Sequence, residues 1–438
     1  MTNNKTQNPG LIKQGNLWPF ILITSLFMLW GLANNMTDTL LAAFKRIMSM
    51  TDFQTSWIQL AFYGAYFCLA FPAALYIRKF TYKSGILLGL GLFAFGSLLF
   101  YPASLTMSYG FFLLALYILA GGLSILETAS NPYILVMGPP ETATRRLNLA
   151  QSFNPIGSII GIYMSKVFIL SRLNTAEATD RSSMNLDALK AVQSEELTGV
   201  MSTYVGVAFF LVFLWFVIKM TNMPKAIETK ESGALRPAVK RLWKNKKYIF
   251  GVVTQFFYVG AQIGVWSFTI RYVMEALQIN ESAASDYYLM SLALFAGSRF
   301  VFTALMRFIQ PSLLLVISAF GAMVCSLIAI YGEGMTGVVA LVAVSGWMSL
   351  MFPTIYALAA EGLGDDTKLG GSGLIMAILG GAVLTAVQGY VSDSHESVNV
   401  SFYIPLICFL VVLAFGATQY KKGNITHTEN EDRRLKAA

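Results

Sequence analysis

Twelve hydrophobic segments dominate the chain, near residues 17–45, 53–77, 84–105, 107–137, 147–171 and 199–220, then 248–276, 283–306, 310–332, 335–360, 370–392 and 399–420. Each reaches the roughly 20 residues a helix needs to cross the hydrocarbon core of a bilayer. Composition agrees: 55% of the 438 residues are hydrophobic and 12% are charged, against roughly 25% charged in an ordinary soluble domain. The expected fold class is therefore an all-α membrane protein of twelve transmembrane helices. The first segment is about twice as long as a signal-peptide core and is interrupted by Asn and Asp, so it reads as a retained helix.

The formal charge of +8 would suggest a nucleic-acid partner in a soluble chain. In a membrane chain, Lys and Arg collect on cytoplasmic loops and set orientation, so no nucleic-acid partner is expected. Arg78, Lys79, Lys83, Arg145, Arg146, the run from Lys219 to Lys247, and the tail residues Lys421, Lys422, Arg433, Arg434 and Lys436 all fall on one side. That side is assigned to the cytoplasm, and an even number of helices puts both termini there, in a multi-pass protein of the cell's inner membrane. Residues 172–198, with nearly balanced charge, read as an exposed external loop. Cys68, Cys325 and Cys408 lie singly in apolar runs and read as buried structural thiols. His395 and His427 stand apart, so neither a metal site nor a cofactor is expected.

The sequence also divides in two. Residues 1–16 form an N-terminal tail, 17–220 a first six-helix unit, 221–247 a Lys-rich linker, 248–420 a second six-helix unit and 421–438 a C-terminal tail. The units rhyme: LWGLANN in the first helix resembles YVGAQIG in the seventh, setting Gln262 opposite Asn34. NPYILVMG, followed by a polar loop and RLNLAQSFNPIG, resembles FPTIYALA followed by GDDTKLGGSGLIMAILGG. Repeated halves that hold a ligand near the midplane point to alternating access.

Polar residues inside the apolar segments mark where such a ligand would sit. Asn34, Asn35 and Asp38 share one broad helical face, Glu127 and Asn131 are four apart, and Gln151 and Asn154 are three apart. A carboxylate at mid-bilayer costs roughly 2.5–3.5 kcal/mol on insertion scales, so such groups face the bundle interior and tend to be functional. Asn34, Asn35, Asn131, Gln151 and Asn154 read as binding residues, whereas Asn148 reads as interhelical glue. The first-half helices offer Asp38 and Glu127 no mid-membrane Lys or Arg. Sealed from water, an unpaired carboxyl is favoured in its protonated form, and it ionises when wetted. Both therefore read as proton carriers. In the second half Gln255, Gln262, Trp266, Gln388 and Phe352 are candidates to complete a pocket, and Arg299 reads as a structural or gating partner. The rings of Phe62, Tyr63, Tyr66 and Trp266 could stack on the apolar faces of a sugar. Gly121, Gly122, Gly157, Gly161, Gly380 and Gly381 permit close helix approach.

ANNMTD (33–38), ETASNPY (127–133), GPPETATRRLNLAQSFN (138–154), YVGAQ (258–262) and GDDTKLGGS (364–372) resemble the fucose-galactose-glucose:proton symporter family of the major facilitator superfamily. The resemblance runs from about residue 17 to 420. It implies the major facilitator fold, two pseudo-symmetric six-helix bundles around a central sugar cavity. It also implies Asp38 and Glu127 as the protonatable pair, with Asn35, Asn131, Gln151 and Asn154 touching the sugar. Asn34, Gln262, Tyr63 and Trp266 complete the expected binding set. The implied activity is proton-coupled import of a sugar, L-fucose first, by a monomer. The alternatives are galactose or glucose, or a non-sugar facilitator or exporter of the same fold. Thr37 and Phe352 depart from the family pattern, each removing a polar contact, and bear on which hexose is chosen. An enzyme is not expected, since the chain lacks a GxSxG elbow, an HExxH pair and any mid-membrane His.

Overall fold

The computed structural model describes residues 10–13, 15–47, 52–169, 184–224 and 234–436. Among the described residues there is no strand, and seventeen α-helices carry the fold. The first six are α1 Leu17–Ile47, α2 Asp52–Lys79, α3 Tyr82–Thr106, α4 Tyr109–Val136, α5 Ala143–Gln151 and α6 Asn154–Met164, and α6 passes into a π turn at Ser165–Ile169. Then come α7 Leu186–Met220, α8 Leu235–Lys244, α9 Lys246–Leu277, α10 Glu281–Leu305, α11 Pro311–Tyr331 and α12 Gly334–Met348. The last are α13 Met351–Ala360, α14 Thr367–Met376, α15 Gly380–Ser394, α16 Val398–Ser401 and α17 Tyr403–Lys436. Among the described residues ten spans are long and apolar enough to cross a membrane, and Leu17–Ala33 is a shorter apolar helix. Large side chains such as Phe209 (68% exposed), Phe213 (63%) and Phe320 (60%) face outward, where a soluble protein would place polar groups and a bilayer supplies lipid.

Local chemistry sets the helix ends. Asn185, Asn245 and Asn280 each accept a hydrogen bond from a backbone N–H three residues on, at 2.8, 3.1 and 2.9 Å, which satisfies a donor the first turn leaves open. Thr81 and Ser84 form a reciprocal capping box at the start of α3. The Asn185 cap explains one departure from the sequence reading. The expected external loop at 172–198 is helical from Leu186, because the opening turns of α7 carry Asp187, Lys190 and Glu195 and do not look like a membrane segment. Residues 170–183 of that loop lie outside the described ones.

Three segments read as single helices are broken: α5 from α6 at Ser152–Phe153, α12 from α13 at Ser349–Leu350, and α14 from α15 by a 3-10 turn at Ala377–Leu379. The first two breaks precede Pro155 and Pro353, whose ring nitrogens cannot donate to Gln151 and Ser349. The linker holds α8, a short helix that buries Ala238 and Leu242. It is tied to the second half by Arg241, which donates to both carboxylate oxygens of Asp366 at 2.7 Å, and by the Lys247–Glu361 pair at 2.6 Å. The Asp366 hydrogen bonds raise the Arg241 pKa above its ordinary value. The cysteines correct another expectation: Cys408 is buried and Cys325 half-buried, but Cys68 on α2 is exposed. An apolar run in a membrane helix faces lipid as well as core, so apolar neighbours do not imply burial.

Within the first half, α1 and α6 meet backbone to backbone. A Cβ on Gly31 would strike the Asn154 carbonyl oxygen, one on Gly157 the Met28 oxygen, and one on Gly161 the Leu32 oxygen. In the second half Gly380 sits likewise on the Phe256 carbonyl of α9. Between the halves the most extensive contacts gather at one end, where α14 packs on α2 and α4, and α13 packs on α5. Here Asn148 Nδ2 donates to Thr354 Oγ1 at 3.1 Å, and Lys368 lies over the Tyr82 ring. The Leu11 carbonyl, ahead of α1, accepts from Arg146 at this face, and Phe415 of α17 packs against Phe250 near the start of α9.

Candidate functional site: a polar cavity between the halves

Above these contacts lies a cavity of about 190 Å³ lined from both halves. The first half supplies Asn35 from α1, Tyr63 and Tyr66 from α2, Glu127 from α4, Gln151 from the end of α5, and Asn154 and Ser158 from α6. The second half supplies Gln262 and Trp266 from α9, Tyr288 and Arg299 from α10, and Phe352 from α13. Helical spacing brings each group there: Asn154 and Ser158 are four apart, as are Gln262 and Trp266, while Tyr288, Leu292 and Arg299 form one stripe.

Glu127 is half-buried, and its Oε1 accepts a hydrogen bond from the Tyr66 hydroxyl at 3.1 Å. Among the described residues no ion pair involves it. Asn131 stands behind the wall. Its side-chain oxygen accepts from Gln151 Nε2 at 2.7 Å, and its amide donates to the Glu127 carbonyl at 3.1 Å. It therefore holds Gln151 in place and does not itself line the cavity. Asn35 Nδ2 donates to the Gly31 carbonyl at 3.1 Å and Asn154 Nδ2 to the Phe27 carbonyl at 3.2 Å, which anchors each amide to the α1 backbone. Trp266 Nε1 donates to Ser345 Oγ at 3.2 Å, which fixes the indole in the wall.

Of the expected coupling and binding set, Asn35, Tyr63, Glu127, Gln151, Asn154, Gln262 and Trp266 converge on one cavity, and Phe62, Tyr66, Arg299 and Phe352 from the wider candidates join them. The side chains of Asn34 and Asp38 lie outside the described ones, although both residues are in α1. Two further pocket candidates do not reach it. Gln255 sits two helical turns from Gln262 toward the closed end, fully buried, and Gln388 is buried against Gly264 with its Nε2 on Ser401 Oγ. Sequence reasoning missed Ser158 and Tyr288, each one or more whole turns from a recognised polar residue, so spacing could have found them. It also took Tyr66 for a stacking ring, whereas its hydroxyl is the Glu127 partner. Asn148 is buried and joins the two halves, as the glue reading expects.

The arrangement offers a molecule of several hydroxyls a ring of amides, aromatic faces and one carboxyl that can hold or release a proton. Comparison with known proteins matches residues 20–376 to the Major Facilitator Superfamily. The chain is 40% identical to an L-fucose-proton symporter of Haemophilus influenzae, over 94% of this chain and 99% of that one. It is 37% identical to an L-fucose-proton symporter of Escherichia coli, over 91% and 92%. A crystal structure of the transporter FucP in the outward conformation superposes with a TM-score of 0.87 at 36% identity, covering 92% of this chain and 99% of that one. These relatives are transporters, which sets the enzyme reading aside. The all-helical, multi-pass chain with a cavity between two six-helix bundles belongs to the Major Facilitator Superfamily.

Proposed function

We propose that the protein imports a hexose together with a proton by alternating access, with L-fucose as the first-choice sugar. The observation that carries this reading is the placement of Glu127, with Tyr66 as its partner, in the wall of a cavity rich in amides. The L-fucose-proton symporters that resemble the chain along more than nine-tenths of its length supply the sugar.

Asp38 and Glu127 are the protonatable pair. Asn34, Asn35, Gln151, Asn154 and Gln262 meet the sugar hydroxyls, Asn131 supports Gln151, and Tyr63 and Trp266 pack on the apolar sugar face. A proton on the pair removes the charge that would otherwise oppose sealing the cavity. The halves at 17–220 and 248–420 then rock about the site, joined by the linker at 221–247. Arg78, Lys79, Arg145, Arg241 and Lys247 lie toward the closed end, and this basic bias supports a cytoplasmic closed end that carries both termini. The molecule described here is thus open to the outside. It works as a monomer in the cytoplasmic membrane, driven by the proton gradient.

Galactose or glucose is the second reading, because Phe352 in the cavity wall puts a ring where the family often has a hydroxyl and so bears on which hexose is chosen. The test is proton uptake into proteoliposomes offered a panel of hexoses and 6-deoxyhexoses. L-Fucose should give the largest sugar-dependent alkalinisation outside. A larger signal with galactose or glucose would move the assignment, and no signal with any hexose would end the sugar reading.

A further inference from the structure

Two helices crossing the middle of the molecule are broken by prolines, one in each half, and each break leaves a carbonyl without its helical donor. Gln151 closes α5 four residues before Pro155, and Ser349 follows α12 four residues before Pro353. Both oxygens find the same partner. Arg299 of α10 donates from Nε to the Ser349 carbonyl at 2.5 Å and from Nη1 to the Gln151 carbonyl at 2.9 Å. Its guanidinium also stands 4.5 Å from the centre of the Phe295 ring.

The side chain is 3% exposed and lines the cavity, and among the described residues it pairs with no carboxylate. Carbonyls at helix C-termini carry partial negative charge and stabilise a cation. A planar guanidinium holds its donors in a fixed fork, so one side chain serves both carbonyls in a set geometry. One of these carbonyls belongs to the same half as Arg299 and the other to the opposite half. The bond to Ser349 is therefore internal to the second half, whereas the bond to Gln151 must break if the halves separate at the closed end.

We propose that Arg299 is the latch that holds the closed end shut, through a charge-assisted bond to a carbonyl that Pro155 leaves free in the opposite half. It acts as a positioning residue: Gln151 lines the cavity, so the latch ties the state of the gate to the wall that meets the ligand. The inference rests on the alternating-access reading. Breaking the bond shifts the balance toward opening at the closed end, by about tenfold, the scale of one hydrogen bond to a charged group.

The experiment places one cysteine at Ser158, in the cavity wall, in a chain whose three native cysteines are replaced. A membrane-impermeant maleimide is then applied to right-side-out and to inverted membranes. Arg299→Met should lower labelling from the open side and raise it from the closed side, changing the ratio about tenfold. Arg299→Lys, which keeps the cation and preserves folding, should move the ratio the same way by less. An unchanged ratio in both variants overturns the latch. So does labelling that rises from both faces, because it marks general loosening. If the parent protein labels from one face only, whatever the pH or sugar, the alternating-access reading falls and the latch falls with it.

Discussion

The contact between α1 and α6 and the contact between the halves are built from opposite materials. The first brings backbone against backbone, possible only because Gly31, Gly157 and Gly161 lack a Cβ, and its side-chain bonds, from Asn154 and Ser158 to the Phe27 and Gly31 carbonyls, are secondary to that close approach. The second, beyond its helix packing, holds directional bonds made by side-chain tips, Asn148 to Thr354 and Arg299 to Gln151. Surfaces that interlock without side chains can neither slide nor part without opening voids. Hydrogen bonds to polar groups can be exchanged for water at little net change. The α1–α6 seam is therefore locked by backbone contact at its glycines, and the one that is proposed to open relies more on polar side-chain tips.

The sharpest way to break that comparison is Gly157→Ala. Its new methyl would meet the Met28 carbonyl oxygen, so the variant should lose at least about 3 kcal/mol of stability, read as a fall in detergent melting temperature and yield. A normally folded variant would mean the seam is slack. Next in size is Glu127→Gln, which cannot release a proton. It should abolish sugar accumulation against a gradient while sugar counterflow continues, and Asp38→Asn should behave alike. Accumulation by either variant removes that residue from coupling. Asn148→Ala should keep folding and transport but favour opening at the closed end by about 1 kcal/mol, seen as faster maleimide labelling there. The smallest effect is expected of Cys68→Ser, on the exposed face of α2, within about 0.5 kcal/mol.

Much of this was legible in the sequence because a bilayer leaves so few choices. Long apolar runs gave the helices, and polar residues at i, i+3 and i+4 inside them gave most of the cavity wall. What stayed hidden depended on contacts between distant segments. Arg299 reads as a gating partner, but nothing in the chain says that its fork ends on carbonyls freed by Pro155 and Pro353. Likewise Asn131 and Gln151 look equivalent in sequence, and only folding sets one behind the other. The helical start of α7 was missed for a local reason, since charged opening turns mimic a loop until the Asn185 cap is seen.

The cavity lining is unequal in kind as well as in origin. The carboxyl, its tyrosine and three of the four amides come from one half, while the other half contributes one amide, the arginine and a share of the rings, Trp266 and Phe352 included. Under the proposed function, both bodies meet the cargo but the ion-carrying carboxyl belongs to one of them, and Phe352 to the other. A change at position 352 can retune which cargo is accepted without rewiring how the ion gradient is harnessed, so descendants of such a chain can diverge in diet while inheriting one drive.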